Sequence, residues 1–126
     1  MMAVIQKSHM LIVDDQPRWL DYCKETIEGM GYRVTIVDNP IKTTGIISRK
    51  RIDLLIADIR MQRESGYELI RKVRNRFGKL PIIILTAFDT QKVHKFAAAL
   101  GIRKVLIKPC TPMEIGFAIE DALDRE

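Results

Sequence analysis

Apolar positions along this chain fall into two rhythms that alternate. Continuous runs at Met10-Leu11-Ile12-Val13, Leu54-Leu55-Ile56-Ala57, Ile82-Ile83-Ile84-Leu85 and Val105-Leu106-Ile107 read as strands buried on both faces. A shorter segment, residues 33–37, reads as an edge strand. Between the runs the apolar residues recur at helical spacing. Leu20, Cys23, Ile27 and Met30 mark a helix that opens at Pro17, where the missing N–H costs nothing, and stops at Gly31. The Asp38-Asn39-Pro40 turn leads to a helix of about ten residues ending near Lys50. Leu69, Ile70, Val73 and Phe77 mark a third helix over 67–77. Val93, Phe96, Ala97 and Leu100 mark a fourth over 90–100, and Ile115, Ile119, Ala122 and Leu123 mark a fifth over 111–123.

Five strand–helix units with right-handed crossovers place helices on both faces of a parallel sheet. The predicted architecture is α/β, a single doubly wound (βα)5 domain over residues 1–126, with residues 1–7 as an N-terminal tail. No repeat, linker or low-complexity tract interrupts it.

Composition adds limits. At 126 residues, 47% hydrophobic and 29% charged, the chain suits one ordinary globular core. No apolar stretch approaches the roughly 20 residues of a membrane span. Residues 1–9 lack the apolar core of a signal peptide, so a cytoplasmic location is expected and no membrane partner. Two cysteines, Cys23 and Cys110, make no disulfide framework and are expected as free thiols. The net charge of +5 is carried by cations spread over the helices, among them Arg71, Lys72, Arg74, Lys92 and Lys95. Solvated faces account for most of these; an acidic partner surface is the functional alternative. Without aromatic interleaving or a recognised nucleic-acid module, direct nucleic-acid binding is not expected.

The polar residues at the strand ends carry the chemistry. Asp14 and Asp15 follow the first run, Asp58 ends the second, Thr86 ends the third, and Lys108-Pro109 follows the fourth. Ligands of a parallel sheet bind outside the carboxyl ends of its strands, so these side chains should converge. Crowded carboxylates repel unless a hard cation joins them, which makes a candidate Mg²⁺ site. Taken singly, each has a plainer reading: a strand-end aspartate as a turn or cap residue, Lys108 as a solvated lysine, Thr86 as a satisfied hydroxyl. Four strand ends with complementary chemistry are what favour a site.

In order and position these residues resemble the response-regulator receiver domains of two-component signalling. The loop after Asp58 agrees, with methionine three residues on and glycine eight residues on, at Met61 and Gly66. The resemblance implies a strand order of 2-1-3-4-5 and a signalling module, not an enzyme beyond its own phosphorylation and slow dephosphorylation. It implies Asp58 as phospho-acceptor, with a histidine kinase or phosphotransfer protein as donor. It further implies Mg²⁺ held by Asp15, by Asp14 mostly through water, by Asp58 and by the backbone carbonyl of Arg60. Lys108 would pair with Asp58, Thr86 would hydrogen-bond the phosphoryl group, and the Lys108–Pro109 peptide would be cis. The downstream target is a protein left undefined by the sequence.

Two other families share the architecture. A flavodoxin-like binder needs a Ser/Thr/Gly-rich phosphate loop where Asp14 and Asp15 stand. A haloacid-dehalogenase-like phosphatase needs two aspartates separated by one residue, whereas these are adjacent. The chain also departs from the receiver pattern. Val105 stands where an aromatic ring usually swings, and Gln62 stands where a proline is usual. A phosphorylation-independent interaction module that kept the fold and metal site is therefore the alternative function.

Overall fold

The computed structural model describes residues 7–61 and 65–124. Most of the expected N-terminal tail and Gln62 lie outside the described residues. Five strands form one parallel sheet in the order β2-β1-β3-β4-β5: β1 (His9–Val13), β2 (Arg33–Val37), β3 (Leu54–Asp58), β4 (Ile82–Thr86) and β5 (Lys104–Ile107). The intervening helices are α1 (Pro17–Gly29), α2 (Thr43–Arg49), α3 (Gly66–Arg76), α4 (Gln91–Ala99) and α5 (Pro112–Leu123). The strand order and the two-sided winding are as the sequence implied.

The pleat explains the unbroken apolar runs. Successive strand side chains point to opposite faces. Met10, Ile12, Leu54, Ile56, Ile83 and Leu85 enter a core covered by α1 and α5. Leu11, Val13, Leu55, Ala57, Ile82 and Ile84 enter a second core covered by α2, α3 and α4. Both faces are therefore dry, and alternating polarity has no place in the central strands. Each fully buried Ile or Leu contributes about 1.5–3 kcal/mol of transfer free energy, so these strands hold the frame rigid under the site.

Three local features differ from the sequence expectations. The second helix is shorter, because a 3-10 turn at Pro40–Lys42 precedes α2. Asn39 fixes that turn by accepting the Ile41 N–H on its side-chain oxygen at 3.0 Å. Met30, expected on the buried stripe of α1, is half exposed. The helix tightens there, with Met30 and Gly31 N–H donating to Ile27 and Glu28, and Gly31 at φ 98° turns the chain away. Phe77, at the C-terminus of α3, is half-buried rather than fully buried, with the Arg76 guanidinium 5.3 Å from its ring centre. Among the described residues, no helix is long and apolar enough to cross a membrane.

Candidate functional site

Strand register assembles the polar residues. Val13 pairs with Ala57, which brings Asp14 beside Asp58 at the sheet's carboxyl edge. Asp58 pairs with Leu85, and Thr86 with Ile107, so Thr86 and Lys108 enter from the next two strands. The Lys108 N–H donates to the Thr86 carbonyl at 2.8 Å, extending the β4–β5 ladder to the lysine itself. The cis Lys108–Pro109 peptide follows. Thr111 and Glu114 then start α5 with reciprocal caps, each side chain satisfying the other's backbone N–H.

Asp14, Asp15 and Asp58 each present a carboxylate oxygen, all within 4.8 Å of one another. Asp14 is fully buried, Asp58 nearly so, and Asp15 half-buried. Both buried aspartates also make the local turn bonds expected of strand-end carboxylates. Asp14 Oδ1 accepts the Gln16 N–H, and Asp58 Oδ1 accepts the Arg60 N–H, each at 2.9 Å. The turn reading and the site reading therefore hold together. Gln16, not Asp14, is the residue that precedes α1.

Lys108 is not a solvated lysine. Its side chain is 9% exposed, with Nζ 2.5 Å from Asp14 Oδ2 and 2.9 Å from Asp58 Oδ2. Burial alone would lower its pKa, yet the hydrogen bonds to the two carboxylates more than offset that and move it upward. Asp14 is moved upward by burial, against the opposing pull of Lys108 and the Gln16 N–H. Lys108 thus bridges the two buried carboxylates of the trio.

Thr86 is fully buried, and its hydroxyl is engaged within its own loop, donating to the Phe88 carbonyl and accepting the Phe88 N–H, both at 3.0 Å. Above that loop the Arg60 guanidinium lies 4.2 Å from the centre of the exposed Phe88 ring. Two contributors were not assigned from the sequence. Gln16 Oε1 accepts from Lys108 Nζ at 3.3 Å, and the Trp19 ring lies 5.3 Å from the same ammonium. Trp19 packs on Tyr22, whose hydroxyl donates to the Cys110 carbonyl at 2.8 Å. The three-residue spacing of these aromatics on α1 was the available signal, although it does not say which side of α1 they line.

The response regulator receiver domain model matches residues 10–120 of the chain. The chain belongs to this receiver family. The response regulator SaeR of Staphylococcus aureus is 30% identical over 118 residues, covering 94% of this chain and 51% of SaeR. The chain thus spans about half the length of the curated relatives it matches. A CheY-like receiver domain protein from Methanospirillum hungatei superposes with a TM-score of 0.89 at 26% identity, covering 94% and 95% of the two chains. The response regulator TrrA from Thermotoga maritima, solved in complex with Mg²⁺–BeF, gives 0.83 at 25% identity, covering 92% and 99%. Receiver domains serve phosphorylation-based signalling, take phosphate from histidine kinases or phosphotransfer proteins, and bind Mg²⁺ at an acidic pocket. The carboxylate trio of this receiver suits such an ion, because its donors are hard oxygens gathered within 4.8 Å of one another.

Proposed function

We propose that this receiver is switched by phosphorylation of Asp58, with a phosphohistidine of a histidine kinase or phosphotransfer protein as donor. The observation that supports this most is Lys108 held between Asp14 and Asp58, beside a third carboxylate. In the transfer, the P–N bond of the donor breaks, a P–O bond forms to the Asp58 carboxylate, and the donor imidazole leaves. A carboxylate is a weak nucleophile, so position and charge compensation must supply most of the acceleration. Arg60 N–H fixes the Asp58 rotamer, and Lys108 neutralises charge on the same carboxylate. Asp14, Asp15, Asp58 and the Arg60 carbonyl would hold Mg²⁺, Asp14 mostly through water. When bound, the ion supplies the positive charge that phosphoryl oxygens need in this acidic pocket.

Phosphorylation then acts through two side chains. Lys108 transfers its contact to a phosphoryl oxygen, and the Thr86 hydroxyl exchanges the Phe88 carbonyl for another. That exchange releases the loop joining β4 to α4, which alters the face presented to a downstream protein. Acetyl phosphate with Mg²⁺ should add one phosphoryl mass to the parent protein and none to Asp58→Asn. Equal modification of the mutant would move the acceptor elsewhere. No modification of the parent would leave a phosphorylation-independent interaction module.

A further inference from the structure

The two helical layers carry opposite charge. Helices α1 and α5 hold six carboxylates against two cations, whereas α3 and α4 hold six cations against one carboxylate. Between α3 and α4 runs an open groove of about 500 Å³. Tyr67, Phe96 and Leu100 line it with partly buried apolar surface, and three exposed cations, Arg71, Lys92 and Lys95, outnumber its one exposed carboxylate, Glu68.

We infer that this groove docks an acidic polypeptide segment that also carries an apolar side chain. Carboxylates of such a segment would meet the three cations, while its apolar residue would cover the exposed parts of Phe96 and Leu100. Ring geometry favours a polypeptide over a single-stranded nucleic acid. Tyr67 and Phe96 are in edge contact with each other, their centroids 4.8 Å apart and their planes at 84°. Lys92 lies 4.9 Å from the Tyr67 centroid and Arg71 5.1 Å from that of Phe96. Both rings are thus occupied by each other and by cations, and offer no open platform on which successive bases could stack.

The groove also adjoins the phosphorylation site. Tyr67 and Lys92 line a second cavity of about 240 Å³ together with Arg60, Thr86 and Phe88. By strand alternation Thr86 lies with Ile82 and Ile84 on the α2–α4 side of the sheet, the side that carries the groove. A change in the Thr86–Phe88 bonds therefore reaches two groove residues without passing through β5. Regulation of the groove rests on the proposed phosphorylation of Asp58; docking itself does not.

The test uses the full chain and a fluorescein-labelled peptide of glutamates around a central Leu-Phe pair, with thymidine oligonucleotide of equal charge as the competing probe. Fluorescence polarisation should show peptide binding that weakens about tenfold or more in Arg71→Glu/Lys95→Glu. The same charge change at Arg49→Glu/Lys50→Glu, off the groove, should leave it within about twofold. Phe96→Ser, checked for folding by circular dichroism, should erase the preference for this peptide over polyglutamate. Absence of peptide binding, equal loss in both charge-reversed pairs, or tighter oligonucleotide binding abolished by the groove pair would each overturn the inference. Beryllofluoride with Mg²⁺ should change peptide affinity in the parent and not in Asp58→Asn. Groove binding with no such response would refute the phosphorylation link and leave the docking surface standing.

Discussion

At the scale of single residues, Gly66 shows how tightly the site is built. A Cβ there would fall 2.3 Å from the Asp58 carbonyl oxygen and 2.5 Å from Ile59 Cα, both backbone atoms with no freedom to swing aside. The Gly66 N–H also donates to the Ile59 carbonyl at 3.1 Å, drawing the start of α3 onto the end of β3. Gly66→Ala should therefore cost about 1–3 kcal/mol in chemical denaturation. Because the displaced atoms are those of Asp58 and Ile59, it should also slow phosphorylation by acetyl phosphate. A stable, fully active Gly66→Ala protein would contradict this. The aspartates, Lys108 and Gly66 were legible because each stands at a fixed offset from an apolar run, and register does the rest. The stacking of Trp19 over Lys108 was not, since it depends on the rotation of α1 about its axis. Nor was the engagement of the Thr86 hydroxyl with Phe88, a choice among hydrogen-bond partners that strand position leaves open.

Between elements, the loops after β3 and β4 meet through the Arg60–Phe88 stack, and this contact is expected to lengthen the life of a phosphoryl group on Asp58. Hydrolysis needs water in line behind phosphorus, and neither side chain is a carboxylate or amide that could accept a hydrogen bond from the attacking water. An exposed cation–π contact is worth about 0.5–1 kcal/mol, which would slow hydrolysis by about twofold to fivefold if the stack must open to admit water. Arg60→Asn/Phe88→Glu should accordingly lose phosphate faster than the parent once donor is removed with Mg²⁺ present, and the parent should last many minutes. Decay of the parent within seconds would refute the role, as would a double mutant no faster than the parent. Hydrogen exchange tests the same element from another side. With Val105 half-buried and no ring to swing at β5, beryllofluoride should alter protection chiefly across residues 87–95. Strong changes at 103–106 with none at 87–95 would count against that route. Element order and type were legible because rhythm switches cleanly between strand and helix. The shortened second helix was misjudged because Asn39 and Pro40 supply a turn bond that diverts the first residues into a 3-10 turn.

Over the whole molecule, two dry cores hold a rigid sheet whose carboxyl edge concentrates like charge. The frame forces Asp14, Asp15 and Asp58 together beside Lys108, and a bound cation would relieve the mutual repulsion of the carboxylates. Metal binding should thus appear as global stability and not only as local order. A ligand that binds only the folded state at about ten times its Kd stabilises by about 1.4 kcal/mol. For a domain of this size that corresponds to a rise in Tm of about 4–8 °C. Calorimetry of the parent with and without Mg²⁺ should show this rise at such a concentration, with Kd measured separately by isothermal titration. Asp15→Asn should reduce both the affinity and the rise, because it removes the half-buried carboxylate best placed to reach an ion from solvent. Asp14→Asn should begin from a higher metal-free Tm than the parent, since it removes a fully buried carboxylate from the repelling set while Lys108 keeps Asp58 as partner. Equal Mg²⁺ affinity in Asp15→Asn and the parent would remove Asp15 from the site. A metal-free Asp14→Asn protein less stable than the parent would show that its bond to Lys108 outweighs the repulsion, and that the cluster is a structural ion pair first.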